Sequence, residues 1–142
     1  MNVLSGLRTY LLGDAAIVAL VAARVYPVTA PQGETRARLV LTPITGFRQP
    51  ILHGPASVGR PRYQVDAWDV TYEGAQSLGN LVRQRLEGQN ATWTDTSSPP
   101  VSIGVQIEFV DDRVLFETDV SGGHYRHSAD YYIWHGTNGG TV

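Results

Sequence analysis

The sequence predicts an α+β fold, a mostly antiparallel sheet with helices packed on one face. Three stretches carry that prediction. In residues 62–70, Tyr63, Val65 and Ala67 alternate with Gln64 and Asp66, the period of a half-buried strand. Directly after it, Thr71 is placed as an N-cap, and Ala75, Leu78, Val82 and Leu86 recur at spacings of three and four, the stripe of an amphipathic helix that Gly88 stops. The clearest alternation sets Val101, Ile103, Val105, Ile107 and Phe109 against Ser102, Gly104, Gln106 and Glu108, a long strand with one wet face.

The remaining elements follow in chain order. Val3, Leu4, Leu7, Leu11 and Leu12 sit at helical spacings, and Gly13-Asp14 ends that helix and caps a second from Ala15 to about Ala23, the pair forming two helices or one kinked one. Val25-Tyr26-Pro27 leads into a turn-rich connector, and residues 39–44 form the first good strand. Pro43 cannot donate a ladder hydrogen bond, which places it at an edge or a bulge. From Gly46 to Arg60 the composition turns to Gly, Pro, Gln and Ser around Ile51-Leu52, predicting a projecting hairpin or long loop. A short strand is expected at 91–94. Asp111-Asp112 marks a turn or bulge, after which Val114 and Phe116 resume the alternation. The last strand, 125–135, puts Tyr125, Ala129, Tyr131 and Ile133 on one face and Arg126, Ser128, Asp130 and Tyr132 on the other. Residues 136–142 read as a flexible tail.

A chain of 142 residues fits a single domain with a real core. It contains no cysteine, which removes disulfides, thiolate nucleophiles and the common structural zinc sites. A net charge of -2 offers no electrostatic footprint for nucleic acid. All eleven basic residues are arginine, the side chain suited to bidentate ion pairs at interfaces. The apolar run 15–23 is shorter than the roughly 20 residues of a membrane span, and Asp14 interrupts any signal-peptide pattern, so neither is expected.

Catalytic motifs are missing: no Gly-x-Ser-x-Gly elbow, no phosphate loop and no dinucleotide fingerprint. No enzyme activity and no cofactor are therefore expected. Glu108, Asp111 and Asp112 with a histidine could hold a cation for a metal-dependent hydrolase. A small-ligand domain would instead need a pocket between the helix at 72–86 and the sheet. His127 falls on the apolar face and reads as a hydrogen-bonded structural histidine. Contact candidates are Phe47, Arg48, His53 and Arg60 in the 46–60 segment, Arg62 beside Pro61, and the acids Asp111 and Asp112. Trp68, Tyr132 and Trp134 lie opposite the apolar register, on a face that is either an interface or a second covered layer.

The order of features resembles the tail-completion or tail-terminator proteins of long-tailed bacteriophages and gene transfer agents. The segments carrying the likeness are LLGDAAIVALVAARVYP, RLVLTPITG, YQVDAWDVTYEGAQSLGNLVRQRLEG and HYRHSADYYIWH, spanning about Leu4 to His135. The resemblance implies a structural virion protein that closes the head-proximal end of the tail tube as a ring, usually a hexamer. It would meet the tail-tube protein on one face and the head-tail connector or stopper on the other, with DNA passing through the lumen unread. It further implies a place in the virion tail, reached from the host cytoplasm during assembly, and no membrane partner. Gly46 to Arg60 would match the family's variable projecting segment, and Asp111 to Asp119 its acidic strand-end segment.

Overall fold

The two sequence periods, two and 3.6, sort into two layers, one sheet and one helical layer packed on a single face of it. The computed structural model describes residues 2–45, 58–118 and 123–136. Helices are α1 (Val3–Leu12), α2 (Ala15–Val21) and α3 (Tyr72–Leu86); strands are β1 (Val25–Pro27), β2 (Arg38–Thr45), β3 (Val58–Gly59), β4 (Arg62–Asp69), β5 (Asn90–Thr94), β6 (Ser102–Glu117) and β7 (His124–Gly136). The sheet runs β1-β2-β4-β7-β6-β5, with β3 paired to the end of β7. Among the described residues only the β1–β2 pair is parallel.

Side-chain caps start each helix. Asn2 Oδ1 accepts from the amides of Leu4 and Ser5, Asp14 Oδ1 from Ala16 and Ile17, and Thr71 Oγ1 from Gly74 at 3.0 Å. Such a cap contributes about 1 kcal/mol. The Asp14 cap makes α1 and α2 two separate helices, bent by 92°. No single helix among the described residues is long and apolar enough to cross a bilayer.

The helices bury Leu7, Leu11, Ile17, Val21, Leu78, Val82 and Leu86 against the sheet's Leu39, Leu41, Val65, Ala67, Val105, Ile107, Ala129, Tyr131 and Ile133. Each fully buried aliphatic side chain stabilises by roughly 1.5–3 kcal/mol. The faces assigned to β4, β6 and β7 by alternation are the ones observed. Arginines tie separate segments together through backbone carbonyls. Arg8 Nε donates to Val25 O and Arg24 Nε to Ala37 O, both at 2.8 Å, while Arg85 Nε donates to Tyr10 O at 3.0 Å.

Both anticipated irregularities are bulges. The β2–β4 register shifts between Pro43 and Thr45, and the β6–β7 register between Phe109 and Asp111. Two expectations need correction. Val25–Pro27 is a strand, not a lead-in, because it forms a parallel pair with Leu39–Leu41. Residues 46–57 of the expected hairpin or long loop lie outside the described residues, and its end, Val58–Gly59, is strand paired to β7 beside β4, separated from it by Arg60-Pro61. Gly136 belongs to β7, paired with Val58, and residues 137–142 lie outside the described residues.

Candidate assembly interface

The helix-free face of the sheet carries a band of charged and aromatic side chains. Alternation on β4 and β7 places Arg62, Gln64, Asp66 and Trp68 beside Tyr132, Asp130, Ser128 and Arg126 in register. At one end, Arg60 stacks over Tyr132 at 4.3 Å and Trp134 at 5.3 Å, and Arg62 lies 5.8 Å from the Tyr132 ring. Arg62 Nε donates to Asp130 Oδ2 at 3.1 Å and its terminal nitrogen bonds the same oxygen. That hydrogen bond raises the Arg62 guanidinium above its ordinary pKa. Trp134 Nε1 donates to Glu108 at 3.2 Å. Arginines held over aromatic rings present a pre-positioned fork for planar anionic groups.

At the other end the chain forms a cleft of about 660 Å³ between the 28–35 connector and the floor of β2 and β4. Its wall is pinned by Glu34, which accepts from Arg36 Nε at 2.9 Å, and Arg36 holds the Glu34 carboxyl down to about 2. Arg38, only 5% exposed, lines this cleft with Trp68, Asp66 and Arg126. Arg126 is neutralised by Glu117 at 2.7 Å and faces Asp66 at 3.7 Å. Arg38 has no carboxylate at ion-pair distance among the described residues. Its terminal nitrogens reach Arg36 O at 3.1 Å and His124 Nδ1 at 3.4 and 3.5 Å, and its Nε has no hydrogen-bond partner. Burial pushes the Arg38 guanidinium down from its ordinary pKa, and burial, with Arg38's charge second, does the same to His124. A neutral His124 thus accepts from Arg38 without offsetting its charge.

The predicted contact residues divide. Phe47, Arg48 and His53 lie outside the described residues. Arg60, Arg62 and Asp111 share the helix-free face, Asp111 being the register partner of Asp130. Asp112 points the other way. It meets buried His127 at 3.1 Å, with Arg83 at 3.8 Å. The opposite orientation of Asp111 and Asp112 removes the geometry that a hydrolase built on Glu108, Asp111 and Asp112 requires. Among the described residues no three His, Asp or Glu side chains stand together as a metal site. The space between α3 and the sheet is filled by Leu78, Val82, Leu86 and the His127 ring against Gly79, so no ligand pocket opens there. Arg38, Asp66, Arg126 and His124 were not legible as a group from sequence. Their only signal was a polar parity on strands whose order the sequence did not state.

The chain matches the family described as tail completion protein gp17 over residues 5–136. Among curated proteins, none matches it. Among solved structures, a chain from the "Virion of native gene transfer agent (GTA) particle" is similar in fold at 14% identity, with a TM-score of 0.70 over 94% of this chain and 93% of that one. The matched family covers both the strand-to-helix unit that frames the core and the β6–β7 ladder that carries the arginine-aromatic face, and the chain belongs to it: a tail-completion protein, a structural component of a phage-type tail.

Proposed function

We propose that this protein closes the head-proximal end of the tail tube as a ring, usually six subunits, and joins it to the head-tail connector or stopper. The observation that carries the reading is the pairing of family membership with a sheet that has two unlike ends. One end is walled by the 28–35 connector. At the other, β5 pairs only with Ser102–Gln106, leaving the outer edge of β6 without a strand partner beyond that point among the described residues. Head-to-tail contacts close a ring when two different surfaces of one subunit are complementary. An isologous dimer would need one self-complementary patch instead.

In this reading residues 46–60, with Phe47, Arg48, His53 and Arg60, together with Arg62 and Asp111, meet neighbouring subunits, the tube or the connector. DNA passes through the lumen without being read. A subunit of net charge -2 suits that passage, because many phosphate contacts would hold DNA fast. The protein performs no catalysis and acts in the virion tail after assembly in the host cytoplasm.

Cryo-electron microscopy of the native particle tests this. The expected result is a ring one subunit thick between tube and connector, with residues 46–60 at a contact. Density for this chain at the tail tip, or along the whole tube, would refute it.

A further inference from the structure

Among the described charges that have no ion-pair partner, Arg38 and Asp111 both lie on the helix-free face of the sheet, on strands β2 and β6. Arg38 is buried in the cleft against neutral His124, with no carboxylate at ion-pair distance and an unpartnered Nε. Asp111 is exposed on β6, beyond the reach of β5, and its only hydrogen bond accepts the amide of Asp112 at 2.8 Å. Most other described acids are engaged. Glu34, Asp66, Glu87, Asp112, Glu117 and Asp130 each have an arginine partner.

Within one chain the two cannot meet. β2 and β6 are separated by β4 and β7, three strand spacings or roughly 14 Å. Register widens the gap, since Arg38 aligns through Trp68 and Arg126 with Leu115, four residues from Asp111. A head-to-tail neighbour removes this obstacle, because it brings the β6 edge of one copy to the β2 end of the next. A buried guanidinium without an anion is costly, and a carboxylate arriving from outside would offset that cost.

We infer that the cleft between the 28–35 connector and β2 is a socket for the Asp111 edge of a second copy of this chain, with Asp111 as the counter-ion of Arg38. The inference rests on the ring reading above and deepens it by naming the residue each copy contributes. The cleft's mixed lining fits that occupant, since Thr42 and Gln64 can hydrogen-bond an incoming strand edge while Val40 and Trp68 pack against it.

The absence of native cysteine permits a direct test in the full chain. Thr35→Cys on the cleft rim and Arg113→Cys near Asp111 change exposed residues and leave Arg38 and Asp111 in place. A short bifunctional maleimide, added to this double variant with the tail-tube protein of its own particle, should give a ladder of covalent oligomers up to the closed ring. Each single variant should stop at dimers. Asp111→Arg should weaken subunit association at least about tenfold, and adding Arg38→Glu to it should recover association. Rings seen by electron microscopy without the ladder, or with Asp111→Arg assembling like the unaltered chain, would overturn the socket and leave the ring standing. If the unaltered chain forms no ring on tail tubes, the ring reading falls and the socket with it.

Discussion

Replacing Gly79 by alanine pits local helix propensity against packing, and the structure decides the sign. Gly79 lies in α3, where the His127 imidazole of β7 presses against the helix backbone. In an exposed helix interior, Gly→Ala would stabilise by about 1 kcal/mol. Here the new Cβ would fall inside the imidazole, against Nδ1 and Cγ and 2.7 Å from Cε1. The ring cannot easily give way, because it is 2% exposed and its Nε2 is bonded to Asp112 at 3.1 Å. Relief requires either lifting α3 off β4 and β7 or swinging His127 away from Asp112. Overpacking of this kind costs about 1–3 kcal/mol, and losing a hydrogen bond to a charged group costs a similar amount. Three ring atoms under 3.0 Å put the cost in the upper half of that range, about 2–3 kcal/mol, and subtracting the propensity gain leaves Gly79→Ala destabilised by about 1–2 kcal/mol, a fall in Tm of about 3–6 °C. Asn80→Ala, one residue on and exposed, should gain about 0.5 kcal/mol. Urea midpoints of the two variants should therefore move in opposite directions. A Gly79→Ala protein as stable as the parent, or more so, would refute the close approach of α3 to β7.

Three further outcomes follow from buried polar groups. Arg62→Ala strips the partner from Asp130, a carboxylate 6% exposed whose other oxygen has no hydrogen bond. Arg62's own partial exposure limits the loss to about 2 kcal/mol in urea unfolding, and adding Asp130→Asn should restore part of it; an unchanged midpoint for Arg62→Ala would show the pair contributes nothing. Tyr131→Phe removes a fully buried hydroxyl that has no partner, so its Tm should match or exceed the parent's, and a loss above about 1 kcal/mol would reveal a bond to that oxygen. His124 is held below its ordinary pKa by burial and by Arg38, so on acidification the unfolded chain takes up a proton that the folded chain refuses. Stability should therefore fall as pH drops below about 6.5, and His124→Asn should flatten that dependence between pH 7.5 and 5.5; equal slopes for both proteins would exclude His124 as the cause.

What could be read from the sequence was whatever repeats with a local period. The α3 stripe, the odd-parity run of β6 and the two faces of β7 each follow from side chains within one element, and each stands where alternation put it. β1 was not legible because three residues carry no period, and its identity comes from a partner 14 positions away. The arginine-aromatic end of the face was half legible. Trp68, Tyr132 and Trp134 were placed opposite the core, but the stacking of Arg60 on Tyr132 depends on the β4–β7 register. The Arg38 cluster was illegible for the same reason, being assembled from β2, β4, β7 and the 28–35 connector.

The β6 bulge shows how such partial legibility can still carry a mechanism. Before it the apolar residues of β6 are odd-numbered, Ile103 to Phe109; after it they are even-numbered, Val114 and Phe116. A regular strand would have turned Asp111 toward the helices and Val114 and Phe116 away from them, since a shift of one residue exchanges faces. One extra residue, Val110, absorbs the change of parity, and the ladder resumes with Asp111 opposite Asp130 and Asp112 opposite Ala129. The same irregularity thus divides two adjacent carboxylates between two tasks. Asp112 goes inward, where His127 and Arg83 tie it to α3. Asp111 stays outward on a strand edge that β5 leaves open, available to another subunit. The two adjacent carboxylates therefore do not converge, and among the described residues no three His, Asp or Glu side chains stand together as a metal site.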